Sequence, residues 1–184
     1  MLYPVFLRLT GVPVVVVGGG RVAEGKLDGL LAAGARVTVV APQVTDGIRR
    51  RATVIEQEFV AGHLAGARWV VAAATPEVNR VVAAAAAARG LFCNAVDDPA
   101  SASAYLGGVV RRGDVAIAVS TGGLAPALAG LVREALDALL PEDLARWAEV
   151  AAAERTAWRA ARIPLSDRRP LLLRALERLY PRTA

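Results

Sequence analysis

Residues 12–25 read VPVVVVGGGRVAEG, a run of valines that ends in three glycines and continues into a helix-forming segment. A continuous β-branched run without polar alternation is typical of a strand that is buried on both faces. Gly18, Gly20 and Ala23 have the spacing of the dinucleotide-binding fingerprint. There the first glycine makes a tight turn, the second lets the backbone approach a pyrophosphate, and the third small residue lets the helix pack against the strand. The stretch therefore predicts a phosphate-binding turn, and the alternative is a tight turn with a structural role only.

The segments that follow this turn alternate between strand and helix patterns, and Gly34 is a C-cap that ends the first helix. Such alternation indicates a parallel sheet covered by helices, so the predicted fold class is α/β, a Rossmann-like doubly wound parallel sheet. The predicted elements are a strand at 12–17, a helix at 22–33, strands at 36–40, 53–58 and 68–73, a helix at 76–90 and a strand at 91–96.

The pattern changes after Asp97. Strands are predicted at 105–110 and 115–119, and the segment between them, Arg111-Arg112-Gly113-Asp114, contains a turn signal. A helix is predicted over 126–139, since proline is favoured in a first turn, and the tail from Pro141 is predicted to be helical with a break at 163–167. These changes place domain boundaries near 112 and 145.

The composition narrows the class of protein. The 184 residues include 22 basic and 17 acidic ones, which gives a formal net charge of +5. Nearly all the positive charge is arginine, which pairs bidentately with carboxylates and phosphates. A solvated arginine-rich surface, nucleic acid and a polyanionic small substrate are all compatible with this charge. Because no apolar run reaches the roughly 18 residues of a membrane span, and no signal-peptide pattern begins the chain, we expect a cytoplasmic protein without a membrane partner.

Metal and thiol chemistry have few candidates. Cys93 is the only cysteine and His63 the only histidine. A single cysteine rules out an internal disulfide and a cysteine-based zinc site. We interpret His63 as a surface-loop residue and Cys93 as a buried, inert thiol within a strand, and we expect no metal site.

The end of the second predicted strand leaves the choice of cofactor open. It reads Val39-Val40-Ala41-Pro42, without the acidic residue that holds a ribose 2′-hydroxyl and without an arginine for a 2′-phosphate. The nearest basic residues, 49–51, lie about two helical turns further along the chain. We therefore predict NAD rather than NADP.

Asp97 is the candidate catalytic residue. It follows an apolar strand at its carboxyl end, the edge of a doubly wound sheet where ligands bind. Removal of two hydrogens from a carbon framework needs a hydride acceptor, which NAD+ provides, and a base, which a carboxylate provides. The alternative is that Asp97 caps the turn before Asp98-Pro99, and the residues alone leave both interpretations open.

Several different short motifs occur between residues 3 and 140. In combination they resemble those of the precorrin-2 dehydrogenase family. That family includes stand-alone dehydrogenases, bifunctional dehydrogenase/ferrochelatases and the first domain of sirohaem synthase. The motifs are YPVFLRL at 3–9, GGGRVAEGK at 18–26, VTVVAP at 37–42, Ala73-Ala74-Thr75 with Asn79, FCNAVDDP at 92–99, VVRRG at 109–113, and VSTGG at 119–123 with PALA at 126–129.

The resemblance implies NAD-dependent oxidation of precorrin-2, a tetrapyrrole, to sirohydrochlorin in sirohaem biosynthesis. It also implies three parts: a dinucleotide-binding Rossmann domain over 1–112, a dimerisation segment over 113–145 and a helical C-terminal region over 146–184. The helix predicted over 126–139 has an apolar face. This face can pack on the chain's own sheet or on a second copy, and the resemblance favours a homodimer. The residues of the face are Leu128, Leu131, Val132, Ala135 and Leu139.

The resemblance also assigns residues to sites. Asp97 falls on the catalytic aspartate of the family. Arg111 and Arg112 are either solvated or paired with substrate carboxylates. The implied cofactor-binding residues are Gly18, Gly20, Arg21 and Val22 at the phosphates, Pro42 and Gln43 at the adenosine, and Thr75 beside the nicotinamide; Ser120 and Thr121 fall on a turn near the tetrapyrrole.

The chain departs from the family in the loop that faces the substrate. Ser103 and Ala104 stand where many relatives have an acid and a phenylalanine, and Gly107-Gly108 stands where they often have proline and a small residue. These differences affect the expected substrate fit and chelation more than cofactor binding.

Four functions therefore compete. The dehydrogenase leads, and the second is a bifunctional enzyme that also inserts ferrous iron as a sirohydrochlorin ferrochelatase. The third is a dinucleotide-sensing regulator that contacts nucleic acid through its arginine-rich tail, but no DNA-reading module is recognisable, so we expect no nucleic-acid partner. The fourth is an NAD-binding structural subunit without catalysis.

Overall fold

Residues 2–180 are described by a computed structural model, and they form two units. Of the described residues, the first unit comprises 2–106 and Gly122–Leu124, and the second comprises Gly107–Thr121 and 125–180. The chain therefore first passes from one unit to the other between Leu106 and Gly107, and it passes again on either side of Gly122–Leu124. The division into functional parts at 112 and 145 stays a prediction.

The first unit is built on a parallel sheet. Within residues 2–180 this sheet has five strands in the order β3-β2-β1-β4-β5, with every neighbouring pair parallel. This arrangement confirms the predicted Rossmann-like α/β fold. The elements are β1 Pro13–Val17, α1 Arg21–Ala32, β2 Arg36–Val40, α2 Asp46–Arg49, β3 Thr53–Ile55, a 3₁₀ turn at Ala61–Leu64, β4 Trp69–Ala72, α3 Pro76–Ala87 and β5 Phe92–Ala95.

The valine run of β1 forms the middle of the core. Val14 and Val16 pack into one apolar cluster with Leu27 of α1. Val15 and Val17 pack into a second cluster with Val82 of α3. Since successive strand residues point to opposite faces, helices cover both sides of β1, as the unbroken valine run predicts.

Three predicted boundaries between residues 53 and 112 are wrong. The helix predicted over 76–90 ends at Ala87, and residues 88–90 form a turn. β3 ends at Ile55 and does not reach residue 58, because the backbone N–H of Gln57 turns back to the Ile55 carbonyl. The strand before the hairpin runs from Gly108 to Arg112, not from 105 to 110. Arg112 pairs with Val115 across the hairpin, so the turn consists of Gly113 and Asp114 only. Gly113 has a φ of 57°, which suits glycine at the first position of a two-residue hairpin turn.

The second unit consists of this hairpin and three helices. The hairpin strands β6 and β7 are antiparallel. A break does separate the last two helices, but it lies at residues 161–164 and not at 163–167, since Leu165, Ser166 and Asp167 already belong to the last helix. No helix among residues 2–180 is both long and apolar enough to cross a membrane. The elements are β6 Gly108–Arg112, β7 Val115–Val119, α4 Pro126–Leu139, α5 Leu144–Ala160 and α6 Leu165–Glu177.

Candidate functional site

The first glycine of the motif is required by the fold. Gly18 has a φ of 125°, which L side chains rarely adopt. A Cβ at this position would overlap the carbonyl oxygen of Ala73, just beyond β4. The Gly18 N–H also donates to the carbonyl of Val40 at 3.0 Å. Gly18 therefore closes the turn against the ends of both neighbouring strands.

Gly20, the last of the three consecutive glycines and the second glycine of the fingerprint, is not constrained in this way. It is the N-cap of α1 with a φ of −88° and without a capping side chain, and a Cβ there would meet no atom of the described chain within 4 Å. The first helical hydrogen bond runs from the Glu24 N–H to the Gly20 carbonyl, so the preceding N–H groups, at residues 21–23, have no helical acceptor. An open backbone with free N–H groups at a helix start fits the pyrophosphate of a dinucleotide.

Ala23 has the packing role that the fingerprint assigns to its small residue. It is completely buried between α1 and the sheet. Arg21 and Val22, by contrast, are exposed at the start of the helix. Within the motif, Ala23 therefore packs α1 against the sheet, whereas Arg21 and Val22 face solvent.

Gly19 has a role that the fingerprint does not assign. A Cβ on Gly19 would overlap the backbone carbonyl of Gln43, and the Gly19 carbonyl accepts a hydrogen bond of 3.0 Å from the Thr45 N–H. The loop after β2 therefore lies directly on the glycine turn. This contact holds Pro42 and Gln43, both exposed, beside the turn that is expected to bind phosphate.

A pocket of about 170 Å³ brings two predicted site residues together. Val22, at the start of α1, and Asp97, after β5, both line it. Thr75 does not line the pocket itself, but Ala74 and Pro76 on either side of it in the sequence do. The Thr75 hydroxyl accepts from the Val78 N–H at 3.5 Å, which caps α3. The lining residues are Val22, Ala73, Ala74, Pro76, Asn79, Val96, Asp97 and Asp98.

The sequence left open whether Asp97 is a catalytic base or caps the following turn, and the structure shows that Asp98 is the cap. Asp98 accepts a hydrogen bond from the Ser101 N–H at 3.2 Å, and its hydrogen bonds with Ser101 lower the pKa of its carboxyl group. Asp98 therefore caps the turn. Asp97 is exposed and has a φ of 57°, and its carboxylate has no hydrogen bond or ion pair within the part of the chain that the structure describes. That carboxylate is free to act on a ligand.

Asn79 is a site residue to which sequence reasoning assigned no role. It is 97% buried, with 3% of its surface exposed. Its side-chain oxygen accepts from the Ala74 N–H at 2.9 Å, and its side-chain nitrogen donates to the Val96 carbonyl at 3.3 Å. A single side chain thus joins the segment after β4 to the segment after β5.

The predicted substrate-binding residues lie in the second unit. The Arg112 guanidinium pairs with Asp137 of α4 at 2.8 Å and also donates to the Asp137 carbonyl. Arg111 is exposed on β6. Ser120 is exposed after β7, while the Thr121 hydroxyl accepts from the Ala125 N–H at 3.2 Å. Of the two arginines, Arg111 is the one without an ion pair in residues 2–180.

The remaining candidates are structural. The His63 ring accepts a hydrogen bond from the Val60 N–H at 3.2 Å through Nδ1. Cys93 is buried in β5, and burial raises the pKa of its thiol to about 11, so the thiol is protonated at neutral pH. Among the described residues, no group of three or more His, Cys, Asp or Glu side chains is arranged to hold a metal ion.

Comparison with known proteins places this geometry in a family. The model described as "Putative NAD(P)-binding" matches residues 5–108, more than half of the chain. The model described as "Sirohaem biosynthesis protein central" matches residues 112–139. These matches confirm the resemblance found in the sequence.

Individual relatives agree with the family models. Siroheme synthase 1 of Aeromonas salmonicida is 42% identical over 180 residues, which cover 94% of this chain and 38% of that protein. Siroheme synthase 2 of Yersinia enterocolitica is 38% identical over 174 residues, which cover 91% of this chain and 37% of that protein. The chain thus spans less than two fifths of these relatives. A solved structure entitled "SirC, precorrin-2 dehydrogenase" superposes with a TM-score of 0.75 at 25% identity, covering 94% of this chain and 88% of the other.

Proposed function

Because this chain belongs to the NAD(P)-binding family of sirohaem biosynthesis proteins, we propose that it oxidises precorrin-2 to sirohydrochlorin with NAD as the hydride acceptor. One observation carries the proposal. Val22, on the turn that fits a pyrophosphate, and the unpaired Asp97 line the same pocket. A pocket shared by a dinucleotide turn and a free carboxylate suits a reaction that removes a hydride and a proton.

The protein's own groups have separate tasks in this reaction. Bound NAD supplies the acceptor for the hydride. Asp97 takes the proton from the carbon framework of the substrate, and its exposed carboxylate is ready to do so. The backbone at Gly20 and the free N–H groups at the start of α1 bind the pyrophosphate. Around them, Arg21 and Val22 border the phosphates, Pro42 and Gln43 the adenosine, and Thr75 the nicotinamide.

The substrate carries acidic side chains, and we assign Arg111, Ser120 and Thr121 to them. Arginine binds carboxylates bidentately. Arg112 is a weaker candidate, because its guanidinium already pairs with Asp137. Substituting Arg111 by Ala should therefore raise the KM for precorrin-2 more than substituting Arg112 does.

The test of the proposed function is anaerobic incubation of the full chain with precorrin-2 and NAD+, followed by the absorbance of sirohydrochlorin. We expect enzyme-dependent formation of sirohydrochlorin that stops when NAD+ is omitted. A parallel incubation without protein controls for spontaneous oxidation. A rate equal to that of this control, at saturating NAD+, would contradict the proposal.

We further propose that the protein acts as a homodimer through α4. Three leucines on this helix are largely exposed: 52% of the surface of Leu128, 64% of that of Leu131 and 79% of that of Leu139 is accessible to solvent. Among the described residues, the second unit buries only Val110, Ala129 and Ala175, so α4 retains an apolar face available to a second copy. Light scattering at micromolar concentration should give the mass of a dimer, and Leu131→Glu should give that of a monomer. A cytoplasmic location stays a prediction, which cell fractionation would check.

A further inference from the structure

We propose that Asn79 is a positioning residue, which fixes the distance between the nicotinamide side of the cofactor site and the base Asp97. This inference rests on the proposed function, since it assigns a role in the same reaction. It concerns a side chain of α3 that hydrogen-bonds to two backbone groups, the Ala74 N–H and the Val96 carbonyl.

The two hydrogen bonds of Asn79 define which atom of its amide faces which segment. The Ala74 N–H can only donate, so the side-chain oxygen of Asn79 must face it. The Val96 carbonyl can only accept, so the side-chain nitrogen must face it. Both functions of the amide, acceptor and donor, are therefore used.

Both partners of Asn79 border functional residues. Ala74 precedes Thr75, which is assigned to the nicotinamide side, and the Thr75 carbonyl accepts from the Asn79 backbone N–H at 2.8 Å. Val96 precedes Asp97. The Asn79 side chain is therefore a short bridge between the segment that receives the cofactor and the segment that carries the base.

The backbone around Asp97 is anchored on both sides. On one side, the Val96 N–H donates to the Ala72 carbonyl at 2.9 Å, while its carbonyl accepts from Asn79. On the other side, the Asp98 carbonyl accepts from Ser101 and Ala102. Asp97 adopts its left-handed φ of 57° between these anchors, a conformation that persists only where the surroundings enforce it. Loss of the Asn79 bond releases the carbonyl next to this residue and lets the carboxylate turn away from the pocket.

Asn94 offers a matched comparison. It is also an asparagine with little exposure, 7%, and it lies on β5, three residues before Asp97. Its side-chain nitrogen donates to the Ala104 carbonyl at 3.0 Å, which holds the chain beyond the Asp98 turn and not the peptide adjoining Asp97. Substituting either asparagine removes a buried amide, but only Asn79 holds the Val96 carbonyl.

The experiment compares Asn79→Ala, Asn79→Asp and Asn94→Ala in the full chain, with precorrin-2 turnover, NAD+ affinity and melting temperature measured for each. Misplacing a reacting group by about 1 Å costs on the order of 10²-fold in rate, so kcat of Asn79→Ala should fall by that order. Its Kd for NAD+ should stay within about threefold, because the glycine turn is unaltered. Asn94→Ala should lower the melting temperature and keep kcat within about threefold.

Asn79→Asp separates the two bonds and covers the case in which Asn79→Ala does not fold. It keeps the shape of the side chain and an acceptor for Ala74, but it has no donor for Val96 when ionised. Because burial disfavours the charged carboxylate, turnover of this variant and of the parent is measured from neutral to alkaline pH. We expect kcat of Asn79→Asp, relative to the parent, to fall as the carboxyl group ionises. A folded Asn79→Asp that keeps kcat within about threefold of the parent at alkaline pH would overturn the inference, and so would an equal loss of kcat in Asn94→Ala.

A second measurement separates this inference from the proposed function. If the parent protein does not turn over precorrin-2, the proposed function fails, but the bridge can still be tested by amide hydrogen exchange. Asn79→Ala should then accelerate exchange at Asp97 and its neighbours and leave exchange in β1 unchanged, which also shows that the variant is folded. Unchanged exchange at Asp97 would overturn the positioning role whatever the substrate is.

Discussion

The glycine turn at 18–20 and the aspartate turn at 96–98 leave the same edge of one parallel sheet, yet their shapes are determined in different ways. The glycine turn is shaped by the absence of side chains, because a Cβ on Gly18 or Gly19 would overlap a neighbouring carbonyl. The aspartate turn is shaped by a side chain from elsewhere, that of Asn79. A turn of the first kind can be recognised from spacing, whereas one of the second kind depends on contacts that no local motif shows.

The largest effect is expected at the aspartate turn. Asp97→Asn is close to isosteric, and it removes the charge and the basicity while a hydrogen-bonding group remains. A positioned general base contributes about 10²- to 10⁴-fold in rate, so turnover of precorrin-2 at saturating NAD+ should fall by that factor, with NAD+ affinity unchanged. The measurement is anaerobic turnover together with a melting curve.

Asp98→Asn is the control for this prediction. Asp98 caps the turn through Ser101, and asparagine caps nearly as well as aspartate, so turnover should be retained. Activity of Asp97→Asn within about threefold of the parent would remove the base role. If iron insertion also uses this carboxylate, chelation should fall together with oxidation in Asp97→Asn, and intact chelation would separate the two chemistries.

The next effect is expected at Gly20. Gly20→Val places a branched side chain where the pyrophosphate must approach the backbone. Because no described atom lies within 4 Å of the added Cβ, the protein should still fold. We expect the Kd for NAD+, measured by calorimetry, to rise at least about tenfold, which corresponds to about 1.4 kcal/mol.

The matched control is Gly29→Val. Gly29 lies later in α1, where an added Cβ also meets nothing within 4 Å among residues 2–180. This variant should bind NAD+ as the parent does. Equal affinities for Gly20→Val and Gly29→Val would mean that the cofactor does not approach the turn.

A smaller effect, on stability and not on chemistry, is expected at Gly19. Gly19→Ala forces a Cβ against the Gln43 carbonyl, and overpacking of this kind costs about 1–3 kcal/mol. The melting temperature should fall by about 2–4 °C for each of those kcal/mol. Gly20→Ala, one residue further along the turn, should have the melting temperature of the parent. Equal melting temperatures for the two alanine variants would show that the loop after β2 moves away from the added Cβ without loss of stability.

These contrasts explain how much could be predicted from the sequence. The parallel sheet follows from the alternation of strand and helix patterns, and the helix after Gly20 follows from the glycine spacing; both are local patterns. Asp97 could be proposed from its place after an apolar strand. The sequence could not show that Asp98, and not Asp97, caps the turn. This depends on which of the two carboxylates accepts from the Ser101 N–H.

The missed features share a physical cause. The role of Asn79 depends on two backbone groups from different strands, brought together only by the packing of α3 on the sheet. Arg111 and Arg112 read as a turn because charged residues beside Gly113 resemble a loop. They belong to β6 because the register with β7 places Arg112 opposite Val115, and cross-strand register is a tertiary property.

The smallest effect concerns the choice between NAD and NADP, where the glycine turn meets the loop after β2. That loop carries Pro42 and Gln43 and no arginine that could bind a 2′-phosphate. Two of the nearest arginines are already engaged. Arg49 pairs with Glu56, and this pair raises the pKa of Arg49 and lowers that of Glu56, while Arg51 pairs with Asp28.

We therefore expect kcat/KM for NAD+ to exceed that for NADP+ by about tenfold, a modest ratio because exposed ion pairs can exchange partners. Glu56→Gln releases Arg49 and should reduce the preference for NAD+ over NADP+. Asp28→Asn releases Arg51 from the second ion pair and provides the comparison. Because the Glu56 carboxylate is deprotonated at neutral pH, its pKa being lowered further by Arg49, the pair stays formed across the neutral range and the preference should not vary there with pH. Comparable turnover with NADP+ in the parent protein would show that an arginine leaves its partner for the phosphate, and the loop beside Gly19 would then not determine the cofactor.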